Sequence, residues 1–434
     1  MKDVVIVNGV RTPQGKFGGS LKNVSASDLG KTVIKGLFDK IKARPKVSEI
    51  QKKIRPNKFR SIDKTEVEEK YWEWDEDLQK INIDEVIMGN VLQGGQGQNP
   101  ARQASIKAGI PFEIPAYTVN KVCGSGSKAI TLAADAILSG NAEAIIAGGM
   151  ESMSSAPYVL PKARWGYKMD LDGQGEINDV MVLDGLYEIF YDYHMGYTAE
   201  NLAELYDISR EEQDRLGMES QNRAMKAVKN GTFEDEIVPV ETSKGIFKKD
   251  ETPRDTNMDL MSKLPPVFKE GGTVTAGNSS GISDGAAAVL VTSREFAEEN
   301  DLNIMATLKG YASAGVDPKY MGLGPVPATR KVLNESGYSK KDLNLIEENE
   351  AFASQILACM EEMRTPKYGI DMNEVGSENV NPHGSGISLG HPIGCTGARI
   401  VVTLLHELER RDDNTGLASL CVGGGMGMSL LFDR

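Results

Sequence analysis

The chain has 434 residues, abundant glycine and few aromatic residues, which is typical of α/β enzymes rather than of fibrous or disordered proteins. Its formal net charge of −13 argues against a nucleic-acid partner, because binding to a phosphate backbone needs a basic surface. The sequence shows no signal peptide, transit peptide or apolar run of membrane-spanning length. We therefore expect a cytoplasmic protein with no membrane partner.

The four cysteines and four histidines lack the short paired spacings of zinc sites and of small disulfide-bonded domains. We therefore expect neither a bound metal ion nor a structural disulfide. A chain of this length can form two or three domains with sizeable cores.

Hydrophobic patterning predicts alternating strands and helices over the first part of the chain. Strands are predicted at Val4 to Val7, Glu85 to Val91, Ala116 to Val119 and Ala144 to Met150. A helix is predicted directly behind Cys123, where apolar residues recur at helical spacing. This alternation predicts an α/β sheet with both faces covered.

Two stretches interrupt the alternation. The stretch from Ala43 to Lys80, here called the insert, is first basic and then acidic, and its acidic part contains Trp72 and Trp74. We interpret it as a solvated helical excursion, or as a partner or subunit contact because tryptophan is costly to leave in water. Residues 155–282 combine short helices with proline, glycine and charged turns, which predicts a loop domain over one face of the sheet.

The end of the chain repeats the pattern of the first part. Val119–Asn120, a helix and a strand that ends in Ala-Gly-Gly-Met at Met150 have a later counterpart. The counterpart is Val380–Asn381, a helix and a strand that ends in Gly-Gly-Gly-Met at Met426. This repetition predicts a duplicated α/β unit, with chance similarity of two glycine-ended strands as the alternative.

Four candidate catalytic residues are expected at the carboxyl ends of strands, mostly just ahead of a helix, namely Cys123, Asn349, His391 and Cys421. Open α/β sheets bind their ligands at that edge. The helix behind Cys123 is expected to lower the pKa of its thiol through the helix dipole and the free N–H groups. His391 could act as the base for this thiol, and the glycines behind Cys421 could let N–H groups form an oxyanion site.

Each of these residues also has an ordinary structural interpretation. Cys123 could be buried in a tight turn, and Cys421 could be a core thiol. His391 and Asn349 could be turn residues. As a set, a histidine and a second thiol beside a nucleophilic thiol favour proton removal α to a thioester over peptide cleavage.

Five motifs occur in order along the chain, namely Val119 to Gly126, Gly148 to Ser154, Asn349 to Ala353, Gly390 to Gly394 and Cys421 to Gly427. Together they resemble the thiolases, most closely the biosynthetic members that form acetoacetyl-CoA. The resemblance covers nearly the whole chain apart from the insert. It implies an α/β architecture, the thiolase-like duplicated five-layered α-β-α-β-α fold with an inserted loop domain.

The resemblance also implies a division into three parts. The N-terminal half would comprise residues 1–154 and 283–303, with the insert at about 43–80. Residues 155–282 would form the CoA-binding loop domain, and residues 304–434 would form the C-terminal half. The assembly implied is a homotetramer or a homodimer.

The resemblance implies a role for each candidate catalytic residue. Cys123 would be the nucleophile that takes the acetyl group, activated by His391. Cys421 would deprotonate the methyl group of a second acetyl-CoA. His391 and a water held by Asn349 would form one oxyanion site, and the N–H groups of Cys123 and Gly423 would form the other.

Further positions match the substrate-binding residues of the family. Ser280 matches the serine near the pantetheine of CoA. The residues that match the wall of the short-acyl pocket or lie beside it are His194, Met195, Phe268, Met321, Ala351 and Phe352. The implied substrates are acetyl-CoA, CoA and acetoacetyl-CoA, with no separate cofactor.

Several alternatives stay open. A degradative 3-ketoacyl-CoA thiolase would accept longer chains, and a carrier-protein ketoacyl synthase would have a second active-site histidine instead of Asn349. A thiolase-shaped scaffold would need none of the candidate catalytic residues, and a cysteine hydrolase would have no use for Cys421. The sequence departs from the usual family pattern at His383 and Cys395, which we expect near the catalytic centre.

Overall fold

A computed structural model describes residues 2–169, 175–364 and 379–434. Its strands, in chain order, are β1 (Val4–Arg11), β2 (Gly15–Lys16), β3 (Ala43–Lys46), β4 (Gln79–Asn82), β5 (Glu85–Gly89), β6 (Ala116–Val119), β7 (Ala144–Ser152), β8 (Tyr158–Val159), β9 (Asn178–Asp179), β10 (Tyr187–Glu188), β11 (Tyr193–His194), β12 (Val240–Thr242), β13 (Gly245–Phe247), β14 (Ser283–Ser293), β15 (Ala306–Gly315), β16 (Leu345–Glu348), β17 (Thr415–Val422) and β18 (Met426–Asp433).

Its α-helices are α1 (Ala26–Ile41), α2 (Glu49–Ile54), α3 (Glu66–Tyr71), α4 (Pro100–Lys107), α5 (Ser125–Leu138), α6 (Gly196–Leu205), α7 (Arg210–Asn230), α8 (Met258–Met261), α9 (Arg294–Glu299), α10 (Pro325–Ser336), α11 (Ala353–Arg364), α12 (Gly386–Leu389) and α13 (Ile393–Arg411). A π-helical segment covers Met181–Leu186. In the described part of the chain, no helix has both the length and the apolar character needed to cross a membrane.

The central mixed sheet has two parts with the same strand order. The first runs β6-β5-β7-β14-β1, with parallel pairing of β6, β5 and β7 and antiparallel pairing of β14 on both sides. The second runs β16-β17-β18-β15, with β16 and β17 parallel and β18 antiparallel to both neighbours. A parallel bridge between Ile346 and Val380 takes the place that β6 has in the first part. The predicted duplication is therefore visible in the topology.

The helices form three layers around these two parts of the sheet. α5 and α13 pack against each other in the middle, and α13 contacts strands of both parts. Nearly every residue of α13 is buried, as expected for a helix with a sheet on each side. α1 and α4 cover the first part, and α10 covers the second with α11 beside it. This order of helix, sheet, helix, sheet and helix confirms the predicted fold.

Several strands differ from the sequence prediction, including β14, which was not predicted. β1 continues past Val7 to Arg11. The prediction ended the strand too early because a charged residue such as Arg11 is not expected in a buried strand. Arg11 is fully buried and is paired with Glu236 at 2.5 Å and with Asp250 at 2.7 Å. The strand β18 was not predicted, because Gly424 and Gly425 end the preceding motif. Both glycines have a φ of +78°, which lets the chain reverse into an antiparallel hairpin.

The insert is only partly the helical excursion that we predicted. It contains α2 and α3, but it begins and ends with β3 and β4, which pair in parallel as a two-stranded ribbon. Trp74 is buried edge-on against Phe38, with ring centroids 5.2 Å apart. Its indole N–H donates to the carbonyl of Gly109 at 2.9 Å. This tryptophan is therefore covered by its own chain, and its presence does not indicate a partner.

Candidate active site

A cavity of about 310 Å³ lies beside the carboxyl ends of β6, β16 and β17. Of the residues predicted from the sequence, those that line it are Cys123, His194, Met195, Phe268, Ser280, Met321, Ala351, Phe352, His391, Cys421 and Gly423. Asn349 is the predicted site residue that does not line it. Further lining residues, including Met153, Leu186 and Ile282, make most of the wall apolar.

Cys123 lies on a strained turn between β6 and α5. The preceding residue, Val122, has a φ of +48°, which is rare for a β-branched residue. The N–H of Val122 donates to Asn120 Oδ1 at 2.9 Å, and Ser125 Oγ donates to the carbonyl of Val122 at 2.7 Å. Such strain costs about 1–3 kcal/mol and persists where the surrounding structure enforces it, often at functional sites.

The thiol of Cys123 does not have the low pKa that its helix predicted. Burial raises this pKa to about 11, and the N–H groups of Gly423 and Cys123, which donate to the sulfur, offset only part of the rise. The prediction was wrong because loss of hydration outweighs the favourable N-terminus of α5. Since the thiol is protonated near neutral pH, its use as a nucleophile requires a base.

His391 is held as a neutral base by Thr396. The hydroxyl of Thr396 donates to the carbonyl of Pro392 at 3.0 Å, so it accepts the proton of His391 Nδ1 at 2.6 Å. This arrangement leaves the lone pair on Nε2, which is buried and has no partner among the described residues. Burial, assisted by the charge of Arg399, lowers the pKa of His391 to about 3. The sequence prediction missed Thr396, whose position in the first turn of α13 was the available signal.

Glu151 connects the loops of the site. Its carboxylate accepts the N–H of Val91 at 2.9 Å, of Leu92 at 3.2 Å and of Gly394 at 2.9 Å. It also accepts the side-chain amide of Asn90 at 2.7 Å. Burial nevertheless raises its pKa to about 7. The sequence prediction included Glu151 in a motif but did not assign it this contact with the turn that carries His391.

Asn349 lies behind the cavity wall. Its N–H donates to the carbonyl of Ser419 at 2.9 Å, which fixes the backbone after β16 to β17. Both polar atoms of its side chain are buried and lack a partner among the described residues. A buried amide without partners is costly, so these atoms are suited to hold a water molecule or a substrate group.

Cys421 is buried close to two other ionisable groups. Burial, followed by the proximity of Cys123 and Glu348, raises the pKa of its thiol well above the ordinary value. Glu348 accepts the side-chain amide of Gln355 at 2.9 Å, and burial raises the pKa of this carboxyl to about 8. Both thiols and the imidazole of His391 are therefore uncharged in the free protein.

Aromatic rings form one end of the cavity. His194 stacks on Phe268 with ring centroids 4.7 Å apart, and Phe268 meets Phe352 edge-on at 6.2 Å. Nδ1 of His194 accepts the N–H of Gly196 at 3.1 Å, which fixes the imidazole against Phe268. Met195 and Met321 pack in the same cluster. These bulky side chains limit the length of an acyl group beside Cys123.

Two residues expected near the catalytic centre do not line the cavity. His383 lies 2.7 Å from the carboxylate of Glu407, and burial followed by the charge of Arg410 lowers its pKa to about 4. Cys395 is fully buried in α13. Within residues 2–169, 175–364 and 379–434, no group of histidines, cysteines and carboxylates could hold a metal ion.

The sequence matches two models of one enzyme family. The model of the thiolase N-terminal domain matches residues 4–55 and 73–295, and that of the thiolase C-terminal domain matches residues 302–434. The chain belongs to the thiolase family. The matches leave out residues 56–72, which lie within the insert.

Named relatives of this thiolase are similar over their full length. It is 48% identical over 440 residues to an acetyl-CoA acetyltransferase of Cupriavidus necator and 46% identical over 440 residues to one of Escherichia coli, with 100% of each chain covered. The crystal structure of the Bacillus anthracis acetyl-CoA acetyltransferase is 41% identical with a TM-score of 0.85, covering 100% of this chain and 99% of that chain. Human mitochondrial 3-ketoacyl-CoA thiolase in complex with CoA is 37% identical with a TM-score of 0.85, covering 100% and 98%.

Replacement of Thr396 by valine should slow the alkylation of Cys123 by iodoacetamide at neutral pH. Without the hydroxyl, the proton of His391 is no longer fixed on Nδ1, and Nε2 is less often free to accept the proton of the thiol. Thr396→Ser retains the hydroxyl and should keep the wild-type rate. The measurement is peptide mapping by mass spectrometry, and equal rates in the valine and serine variants would contradict this role.

Acidification should destabilise the protein partly through His391. Because the native pKa is about 3 and the unfolded value is near 6.5, the unfolded chain binds a proton between these values that the native protein does not. This residue should therefore cost about 2 kcal/mol of unfolding free energy between pH 7 and pH 5. The measurement is the unfolding free energy from urea titrations at pH 7 and pH 5. Between these pH values the His391→Asn variant should lose about 2 kcal/mol less unfolding free energy than the wild type, and identical losses would contradict the assignment.

Proposed function

We propose that this thiolase is an acetyl-CoA acetyltransferase, which condenses two molecules of acetyl-CoA to acetoacetyl-CoA and CoA and catalyses the reverse thiolysis. The proposal rests on one observation, that Cys123, His391 and Cys421 line the same cavity. The cavity holds a nucleophile, a neutral base for it and a second thiol, which are the groups that a Claisen condensation requires. The names of the similar proteins support the same reaction.

In the first half-reaction, Nε2 of His391 takes the proton of Cys123, and the thiolate attacks the carbonyl carbon of acetyl-CoA. The N–H groups of Cys123 and Gly423 stabilise the resulting oxyanion. The bond to the CoA sulfur then breaks, which leaves the acetyl group on Cys123. The departing sulfur takes the proton of Cys421, so that CoA leaves as a thiol and Cys421 remains as a thiolate.

In the second half-reaction, the thiolate of Cys421 removes a proton from the methyl group of a second acetyl-CoA. The enolate oxygen is stabilised by protonated His391 and by a water molecule held by Asn349. The enolate carbon attacks the acetyl group, and the bond to Cys123 breaks. Cys123 recovers its proton from His391, and every group returns to its starting state in this ping-pong cycle.

We also propose that residues 155–282 form the CoA-binding domain between halves that comprise residues 1–154 with 283–303 and residues 304–434. The loop around Ser280 supports this assignment, because it reaches the cavity and its N–H donates to the carbonyl of Ala351 at 2.9 Å. The substrates are CoA thioesters, and the proposed steps use no other cofactor. A cytoplasmic location and a homotetramer or homodimer stay predictions.

A degradative 3-ketoacyl-CoA thiolase is the second candidate. The backbone does not distinguish it, since the human mitochondrial 3-ketoacyl-CoA thiolase and the Bacillus anthracis enzyme have the same TM-score to this chain. The aromatic stack of His194, Phe268 and Phe352 favours the short-chain enzyme. Such a wall discriminates by only about 1–3 kcal/mol per methylene, so the preference has to be measured.

Thiolysis by CoA should be faster with acetoacetyl-CoA than with 3-ketooctanoyl-CoA. The aromatic wall should reduce kcat/KM for the longer substrate by about tenfold or more. Phe268→Ala should narrow this difference, and Cys123→Ser should abolish thiolysis of both substrates. The measurement is the loss of 3-ketoacyl-CoA absorbance, and comparable rates on the two substrates would favour the degradative enzyme.

Cys421→Ala should separate the two half-reactions. With acetyl-CoA alone, this variant should still gain one acetyl group on Cys123, because both N–H donors remain and protonated His391 can give its proton to the departing CoA sulfur in place of Cys421. It should form no acetoacetyl-CoA, since nothing removes the methyl proton of the second substrate. Intact-protein mass spectrometry and product analysis test this, with Cys359→Ala as the matched control at another buried cysteine. Condensation at the wild-type rate would exclude Cys421 as the base.

A further inference from the structure

The insert forms a second cavity, of about 420 Å³, that shares no residue with the candidate active site. Its floor is one face of the ribbon of β3 and β4. In this parallel pair, Arg44 lies opposite Lys80 and Lys46 lies opposite Asn82, and all four residues line the cavity. Ile81, which lies between Lys80 and Asn82 in β4, is fully buried on the opposite face of the ribbon.

Two positive side chains of this floor repel each other when no anion is bound. Like charges directly opposite each other in neighbouring strands destabilise the pair, and Arg44 and Lys80 have that relation. Arg44 pairs with Glu76, which also lies 3.6 Å from Lys64. No ion pair in the described part of the chain involves Lys46 or Lys80.

The carboxylates that line the cavity form no ion pair with the two lysines. Glu49 pairs with Lys52 at 2.9 Å, and its pKa is lowered chiefly by Lys52 and to a smaller extent by Lys46. Glu68 is buried and accepts the N–H of Phe112 at 3.0 Å as well as the hydroxyl of Thr65 at 3.0 Å. The remaining carboxylate, Asp63, is exposed. The lining therefore has a positive excess in a protein whose net charge is −13.

Two buried polar atoms of the floor also lack partners in the described residues. Arg44 is only 5% exposed, and its Nε has no acceptor. The side-chain oxygen of Asn82 also has no donor, but as an acceptor it would not be satisfied by an anion. An unsatisfied buried donor costs about 1–3 kcal/mol, a cost that a bound anion would remove. Trp72 and Lys64 line the adjacent wall, and Nζ of Lys64 lies 3.9 Å from the centroid of the Trp72 ring.

The position of this cavity separates it from the CoA site. The ribbon strand β4 ends just before β5 begins, whereas Cys123 follows β6 and Cys421 lies at the carboxyl end of β17. Lys64 and Trp72 also lie in residues 56–72, which the thiolase family model does not match. One wall of the cavity is therefore an addition to the enzyme core, whereas Arg44, Lys46 and Lys80 lie in residues that the family model matches.

We propose that the insert cavity binds a small phosphate-bearing metabolite, with the phosphate group held by Arg44, Lys46 and Lys80. A guanidinium and two ammonium groups on one face of the ribbon match the charge of phosphate. The volume lies in the range of small-molecule sites, and its lining comes from residues 44–82 together with Pro111. These features fit a metabolite better than a macromolecule.

The test is calorimetric titration of the intact protein with inorganic pyrophosphate and, separately, with inorganic phosphate. Saturating CoA is present throughout, so that the phosphate subsites for CoA are occupied. Saturable binding of one anion per chain is expected. Lys46→Ala/Lys80→Ala should weaken it about tenfold or more, whereas Lys53→Ala/Lys58→Ala, with the same charge change on exposed residues of the insert, should not.

A second readout keeps the proposal testable if the alanine variant folds poorly. Anion binding should change the fluorescence of Trp72, and Trp72→Phe should lose this change while it retains calorimetric binding. Lys80→Gln, which keeps most of the side chain, should also weaken binding. Absence of binding to the wild type, or equal weakening in both double-alanine variants, would overturn the proposal.

Discussion

The carboxylate of Glu151 is the contact on which the geometry of the catalytic cavity depends. It lies at the end of β7 and accepts N–H groups from two loops, one behind β5 and the other at the start of α13. The second loop approaches so closely that a Cβ on Gly149 would lie 2.0 Å from the carbonyl oxygen of Gly394. The buried carboxylate of Glu151 and the absence of a side chain on Gly149 thus fix the loop of His391 relative to β5 and β7.

This close packing has an electrostatic consequence for the proposed chemistry. Burial disfavours the charged forms of Cys123, Cys421 and His391, so the free site is neutral. Charge then develops only when a thioester enters and its oxygen meets preformed N–H donors. Because the donors are backbone groups fixed by β17 and α5, they need little reorganisation when the oxyanion forms.

The sequence predicted the groups that react better than the groups that position them. Cys123, His391 and Cys421 were recognisable because each lies close to glycine or proline, where backbone constraints leave a local pattern. Cys123 and Cys421 lie at strand ends, whereas His391 lies between α12 and α13 rather than at the strand end that the sequence predicted. Thr396 and Glu151 act across turns and between halves, and β18 depends on pairing with two distant strands. The thiol pKa was predicted with the wrong direction because burial depends on packing that one helix does not reveal.

The order of the strands also bears on how the enzyme is made. In the second part of the sheet, β18 lies between β15 and β17, although it follows both in the chain. During synthesis, a chain that has reached only β16 already has Cys123 and its turn, but it lacks His391 and Cys421. Such a fragment has no base to activate its nucleophile. Because the reacting groups are divided between the halves, the proposed chemistry is possible only after the chain has extended through β17.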